Sequence, residues 1–219
     1  MSLSVALPFI LIMPNGFTTE LAAVNIILQM LDEEPINSLG GEQPLEVTQA
    51  QNSLEEISRE IQSQGWHFNT EYKYPLTPNA DGEIILPQST LECDIDYLFN
   101  SSAGITDYIQ RGVRLYDREN RTYNIGKELN ATMVNFLPWD DLPEPFRRWI
   151  FVKAGRTLYN RAIGDSATDQ KLAREEVQAK ATAENFNART ADKTIFDNDV
   201  GYNILNRRMR RRSRNSQFG

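Results

Sequence analysis

The chain has 219 residues, 40% apolar and 24% charged, a balance that supports one packed domain or two small ones and excludes wholesale disorder. One cysteine, Cys93, excludes an intrachain disulfide, and with one histidine, His67, a structural zinc site is excluded too. The net charge of −7 is uneven: residues 207–219 hold six arginines and no acid, leaving 17 basic and 30 acidic side chains, a net −13, on residues 1–206. Such an acidic body disfavours nucleic-acid binding through a broad surface.

Residues 1–17 read as an N-terminal arm. Its apolar run from Leu3 to Met13 is broken by Pro8 and is too short to span a bilayer. It has no basic n-region and no cleavage site, so neither a secretory signal nor membrane insertion is expected, and packing on a neighbouring subunit is. A first helix follows, with Thr18 and Thr19 able to cap it, Leu21, Val24, Leu28 and Leu31 at helical spacing, and Pro35 beyond its end. A second helix places Val47, Ala50, Leu54, Ile57 and Ile61 on one stripe. Gly65 stands where a left-handed cap is wanted, and Trp66 and Phe68 then alternate with His67 and Asn69 as a strand would. Two helices cannot enclose a core, so this pair needs partners from elsewhere.

From Trp66 to about Leu142 short β-rich runs replace the helical period: Glu83–Leu86, Cys93–Phe99, Ile105–Ile109, Val113–Tyr116, Tyr123–Ile125 and Ala131–Phe136, punctuated by Asn100, Gly104, Gly112, Asn120 and Gly126. Strands at such spacing predict a small antiparallel barrel or sandwich. Helices resume at Pro143, with Phe146, Ile150, Ala154, Thr157 and Leu158 along one face and Gly164 at the end. Asp165 or Ser166 caps a polar fourth helix whose inner side is expected to carry Leu172, Val177, Ala183 and Phe186. The fold class is therefore α+β. Residues 18–65 and 143–206 are expected to form a discontinuous helical bundle with helices from both chain ends, and residues 66–142 an inserted β domain. Residues 207–219 form a basic tail whose like charges predict disorder.

Little in this chain points to catalysis. His67 is expected on the solvent face of its strand. Cys93 lies between Glu92 and Asp94, which raise a thiol pKa. The glycines have no phosphate-binding spacing. Carboxylate pairs are the remaining candidates: Asp94 with Asp96, and Asp140 with Asp141 and Glu144, which would support a glycan hydrolase as the alternative function. A nucleic-acid module acting through the C-terminal arginines lacks a recognition helix. Trp66, Trp139 and Trp149 all fall near junctions between helical and β parts and read as inter-domain core.

Four segments also resemble a known family: Glu20-Leu21-Ala22-Ala23-Val24-Asn25, the run from Arg59 to Asn69, the run from Leu142 to Ile150, and Gly201-Tyr202-Asn203-Ile204-Leu205. In order, these resemble the tail tubular protein A family of T7-like short-tailed phages, the adaptor or gatekeeper between portal and tail nozzle. The resemblance covers about Glu20 to Leu205. It implies a structural virion protein without cofactor, metal or catalytic residues, assembled in the host cytoplasm. Its expected partners are other copies in a dodecameric ring, the portal protein through the bundle, and the nozzle protein (tubular protein B) and tail-fibre N-termini through the β domain. DNA is expected to pass through the lumen, which an acidic wall would let slide. The resemblance reaches neither the apolar arm nor the arginine tail. For the tail, Arg207, Arg208, Arg210, Arg211, Arg212 and Arg214 are expected to dock on portal carboxylates, which suit bidentate arginine pairing.

Overall fold

A computed structural model describes residues 16–95 and 107–191. The arm up to residue 15, Asp96, and all six tail arginines (Arg207, Arg208, Arg210, Arg211, Arg212 and Arg214) lie outside the described residues.

Four helices and small antiparallel sheets make a mixed α and β fold. Helix α1 (Glu20–Met30) starts at Thr19, whose hydroxyl accepts from the Ala22 amide. Its buried arc is wider than the expected stripe. Ala22, Ala23, Val24, Asn25, Ile27 and Leu28 are all inside, whereas Leu21 is half-exposed, because α1 packs against two other helices at once. Asn25 holds the following loop by exchanging both hydrogen bonds with the Ile36 backbone at 2.9 Å. Helix α2 (Leu45–Gln62) buries all of Val47, Ala50, Leu54, Ile57 and Ile61, as their spacing predicts. It ends at Gly65, which adopts φ +71° and lies so close to Val134 that an added Cβ would stand 3.3 Å from its side chain.

The next residues correct the sequence reading. His67–Asn69 form a single 3-10 turn, not a strand. The Asn69 side chain accepts from the Trp66 amide at 2.8 Å, and the Trp66 indole donates back to Ile61 O, so local side-chain bonding defeats the aromatic alternation. The sheet begins one residue later, with β1 (Thr70–Leu76), β2 (Thr90–Ile95), β3 (Tyr108–Arg111), β4 (Arg114–Asp117) and β5 (Leu129–Asn135). Strand β5 lies between β1 and β2 in one antiparallel sheet, and β3 and β4 form a separate hairpin. Glu83–Leu86 and Tyr123–Ile125 contribute only isolated bridges instead of strands: Glu83 pairs with Asn124 and Ile85 with Arg114, while Thr122, just before the second run, pairs with Asp117. Among the described residues nothing closes into a barrel: both sheets cover one shared core of Leu76, Ile84, Leu86, Ile95, Leu115, Leu129 and Met133.

Helix α3 (Glu144–Ala162) is central, touching α1, α2 and α4 (Ser166–Thr190). Gly155 allows the close approach of α1, since a methyl group there would overlap Met30 Sδ. Asp165, not Ser166, caps α4 by accepting from Thr168 N. Only Leu172, Ala179 and Ala183 of α4 are buried; Val177 is 67% exposed and so does not belong to the inner side. Helices from before and after the β segment share one apolar cluster, which includes Val24, Ile27, Ile57, Ile61, Phe146, Trp149, Ile150 and Ala183.

Candidate docking surfaces

Two chain crossings join helices to sheet, and both are pinned by buried polar groups. Gln62, fully buried at the end of α2, donates to Leu137 O at 3.1 Å and accepts from Leu137 N at 2.8 Å. Asn69 donates to both Gln62 O and Asn135 O at 2.9 Å. Around them Trp66, Phe68, Phe146 and Trp149 pack at centroid distances of 4.6–6.3 Å, two pairs edge to face and two tilted. Trp149 is buried in the helical core and Trp66 and Trp139 pack half-buried against it, so the three belong to the helical cluster and not to a core shared with the β part. Arg147, only 4% exposed, fixes the other crossing: its guanidinium donates to Leu142 O, Thr18 O and Asp140 O at 2.7–2.9 Å. The Glu144 carboxylate accepts from both the amide and the hydroxyl of Thr18. Gln62, Asn69 and Arg147 are polar residues in helical or turn positions, and sequence spacing gave no sign that they were buried.

These pins set the two poles of the molecule. Because α1 begins beside the start of α3, its end points away from the sheets, as do the start of α2 and the end of α3. That distal pole exposes Leu45 (65%) and Ile163 (56%) beside a depression of about 430 Å³ lined by Gln49, Asn52, Ser53, Glu56, Leu158, Arg161 and Ala162. The Glu56–Arg161 pair at 3.0 Å crosses it, and the exposed acids Asp32, Glu33, Glu34 and Glu42 and the half-buried Glu46 belong to the same end. Apolar residues ringed by charge are the usual composition of a docking surface.

Of the carboxylate candidates, Asp140 and Asp141 are exposed on the 3-10 turn Trp139–Asp141. Both Glu144 oxygens are engaged by Thr18. Asp94 is exposed on β2, and its suggested partner Asp96 lies outside the described residues. Burial, reinforced by Asp94 and Glu92, pushes the Cys93 thiol up to about 12, away from nucleophile chemistry. His67 is exposed at the 3-10 turn, where its amide donates to Asn187 of α4 at 2.9 Å. Among the described residues no helix is long and apolar enough to cross a membrane.

Exposed apolar residues among charges, of the kind suited to docking another protein, are the class of feature the described residues offer. The family model for tail tubular proteins matches residues 21–193, and the chain belongs to that family, making it a structural component of phage tails. It is similar to Tail tubular protein A of Klebsiella phage KP34, with 26% identity over 162 residues that cover 74% of this chain and 83% of that protein.

Proposed function

We propose that this chain is the adaptor of a short-tailed phage virion, joining the portal to the tail nozzle and the tail fibres. Copies close side by side into a ring, dodecameric as in the family it resembles, and line a channel through which DNA leaves. The helical residues, 18–65 and 143–206, act as one discontinuous bundle domain whose distal pole meets the portal. Residues 66–142 project as the β domain toward the nozzle protein and the fibre N-termini. The arginines from Arg207 to Arg214 anchor on portal carboxylates. Assembly takes place in the host cytoplasm, and the chain has no catalytic role.

The observation that carries this reading is the pinned two-pole layout in a chain of the tail tubular family. One pole offers exposed Leu45 and Ile163 among carboxylates, and the other a separate β core, so two different axial partners can be held at a fixed spacing. Negative-stain images of the purified chain mixed with its portal are the test. Rings stacked on the portal are expected; portal particles left bare at saturating chain would sink the adaptor reading.

A further inference from the structure

The β3–β4 hairpin carries a face that no other described element covers. Its register pairs Ile109 with Tyr116 and Arg111 with Arg114, so these four share the outer side, while Leu115 and Asp117 face the β core. The bridge between Ile85 and Arg114 adds Ile85 to that side. The Arg111 guanidinium carbon lies 3.7 Å from the Tyr116 ring centre, Tyr116 meets Tyr123 edge-on at 4.9 Å, and the Arg114 guanidinium carbon lies 4.2 Å from Tyr123. Ile85 (51%) and Val113 (48%) stand exposed beside this stack. Arg114 also reaches Glu83 at 3.3 Å, whereas Arg111 has no carboxylate partner among the described residues. A guanidinium stacked on a ring keeps its in-plane N–H groups free for a carboxylate, and it is already ordered before a partner arrives. Tyrosine and arginine are also the residue types that anchor interfaces.

A complementary hollow exists elsewhere on the same chain. Where α1 and α2 meet the β5–α3 connection, a groove of about 380 Å³ is lined by Glu20, Leu54, Glu55, Phe136 and Trp139 among others. Burial, and then the neighbouring Asp140 and Glu55 charges, raise the Glu20 carboxyl above its ordinary value, so an arriving cation would relieve real crowding. The groove already accommodates one guanidinium: Arg59 lies 4.6 Å over the Phe136 ring and 3.3 Å from Glu55.

We propose that the Arg111–Arg114 face of one copy docks into the Glu20–Trp139 groove of the next. Two different patches on one chain give a heterologous contact, the kind that closes into a ring. The inference rests on the ring-forming adaptor reading and supplies its lateral interface.

Disulfide trapping tests it even when association is transient. Val113→Cys and Asn52→Cys place thiols on the face and at the groove, and Cys93 is buried. Equal mixtures of the two single variants, oxidised at high concentration, should give a covalent heterodimer in clear excess over either variant alone. Arg111→Glu on the face copy should lower that yield roughly tenfold, the scale of a like-charge pair across an interface, and Glu20→Lys on the groove copy should restore it. A yield no greater than that of Val113→Cys with the control Val177→Cys, or one indifferent to Arg111→Glu, overturns the pairing. Rings on the portal without the cross-link would remove this interface alone, whereas neither rings nor any self-association would remove the adaptor reading with it. Loss of duplex-DNA binding in Arg111→Glu with the cross-link intact would reassign the face to nucleic acid and overturn the proposal.

Discussion

Arg147 ties three backbone carbonyls from two chain segments together inside the molecule. Arg147→Ala removes the guanidinium from all three carbonyls, of which Thr18 O keeps the Trp139 indole N–H as a donor, and roughly 3 kcal/mol of unfolding free energy should be lost in urea titration. A second residue-scale prediction concerns Asp169. Its carboxylate receives Arg156 Nε at 2.7 Å and Asn160 Nδ2 at 2.7 Å, and these bonds, the Arg156 one first, hold it below the ordinary value of 3.8. A depressed folded-state pKa contributes stability that is present above 3.8 and disappears as pH falls through the lowered value. Melting temperature followed from pH 5 downward should therefore drop less steeply, across that acid window, in Asp169→Asn than in the unmodified chain. An identical acid slope in the two proteins would contradict this. Neither role could be read in advance. Arg147 precedes another arginine in an amphipathic run, and Asp169 looks like any acid in a polar helix. Thr18 is far from Arg147 in sequence, and Arg156 and Asn160 lie on the helix before Asp169, so only the packed fold brings these partners within reach.

Among the elements, α2 and α4 differ in what their sequences reveal. The α2 stripe is regular because one helix face meets a continuous apolar surface, and spacing alone located its buried apolar positions, though not the buried polar Ser53, Ser58 and Gln62. Helix α4 packs on α3 through Ala179 and Ala183, small residues whose burial leaves almost no apolar periodicity, so the larger Val177 was placed inside in error. The contrast is measurable. Ala183→Leu should overpack the α3–α4 seam and cost about 1–3 kcal/mol. Val177→Ser should stay within about 0.5 kcal/mol of the unmodified chain. Equal melting temperatures for the two variants would refute the observed orientation of α4. In the helical core, Ile61→Asp places an unpaired charge where nothing can solvate it, and several kcal/mol should be lost. Far-UV circular dichroism should then lose helical signal. The strands were legible in part: β2, β4 and β5 fall on expected runs, β1 does not, and no barrel closes among the described residues, because the 83–86 and 122–125 segments pair at single bridges.

For the molecule as a whole, the order helix pair, β segment, helix pair was visible in the sequence because periodicity changes sharply at Gly65 and Pro143. The separation into two apolar cores follows that order. The docking surfaces were not visible, since Leu45, Ile163, Ile85 and Val113 differ from core residues only in where the fold leaves them. Assembly is the prediction at this scale. Isolated subunits should be mostly monomeric by mass photometry, because a heterologous contact gains most when a ring closes on its portal template. Truncation after Asn206 should leave the melting curve unchanged and weaken portal binding, with the difference shrinking as salt is raised. Undiminished binding after truncation would remove the tail arginines from the portal contact.

The pinned crossings have a mechanical consequence. A hinge between two parts of a chain needs strands of backbone that can swivel, and here both connecting stretches are locked: one by Gln62 and Asn69, the other by Arg147 and Glu144. Bending at the waist would have to strip several buried donors and acceptors in one step. A push on the β end is therefore delivered to the helical end as torque on a stiff lever, and in the proposed ring the compliance falls to the joints between neighbouring copies.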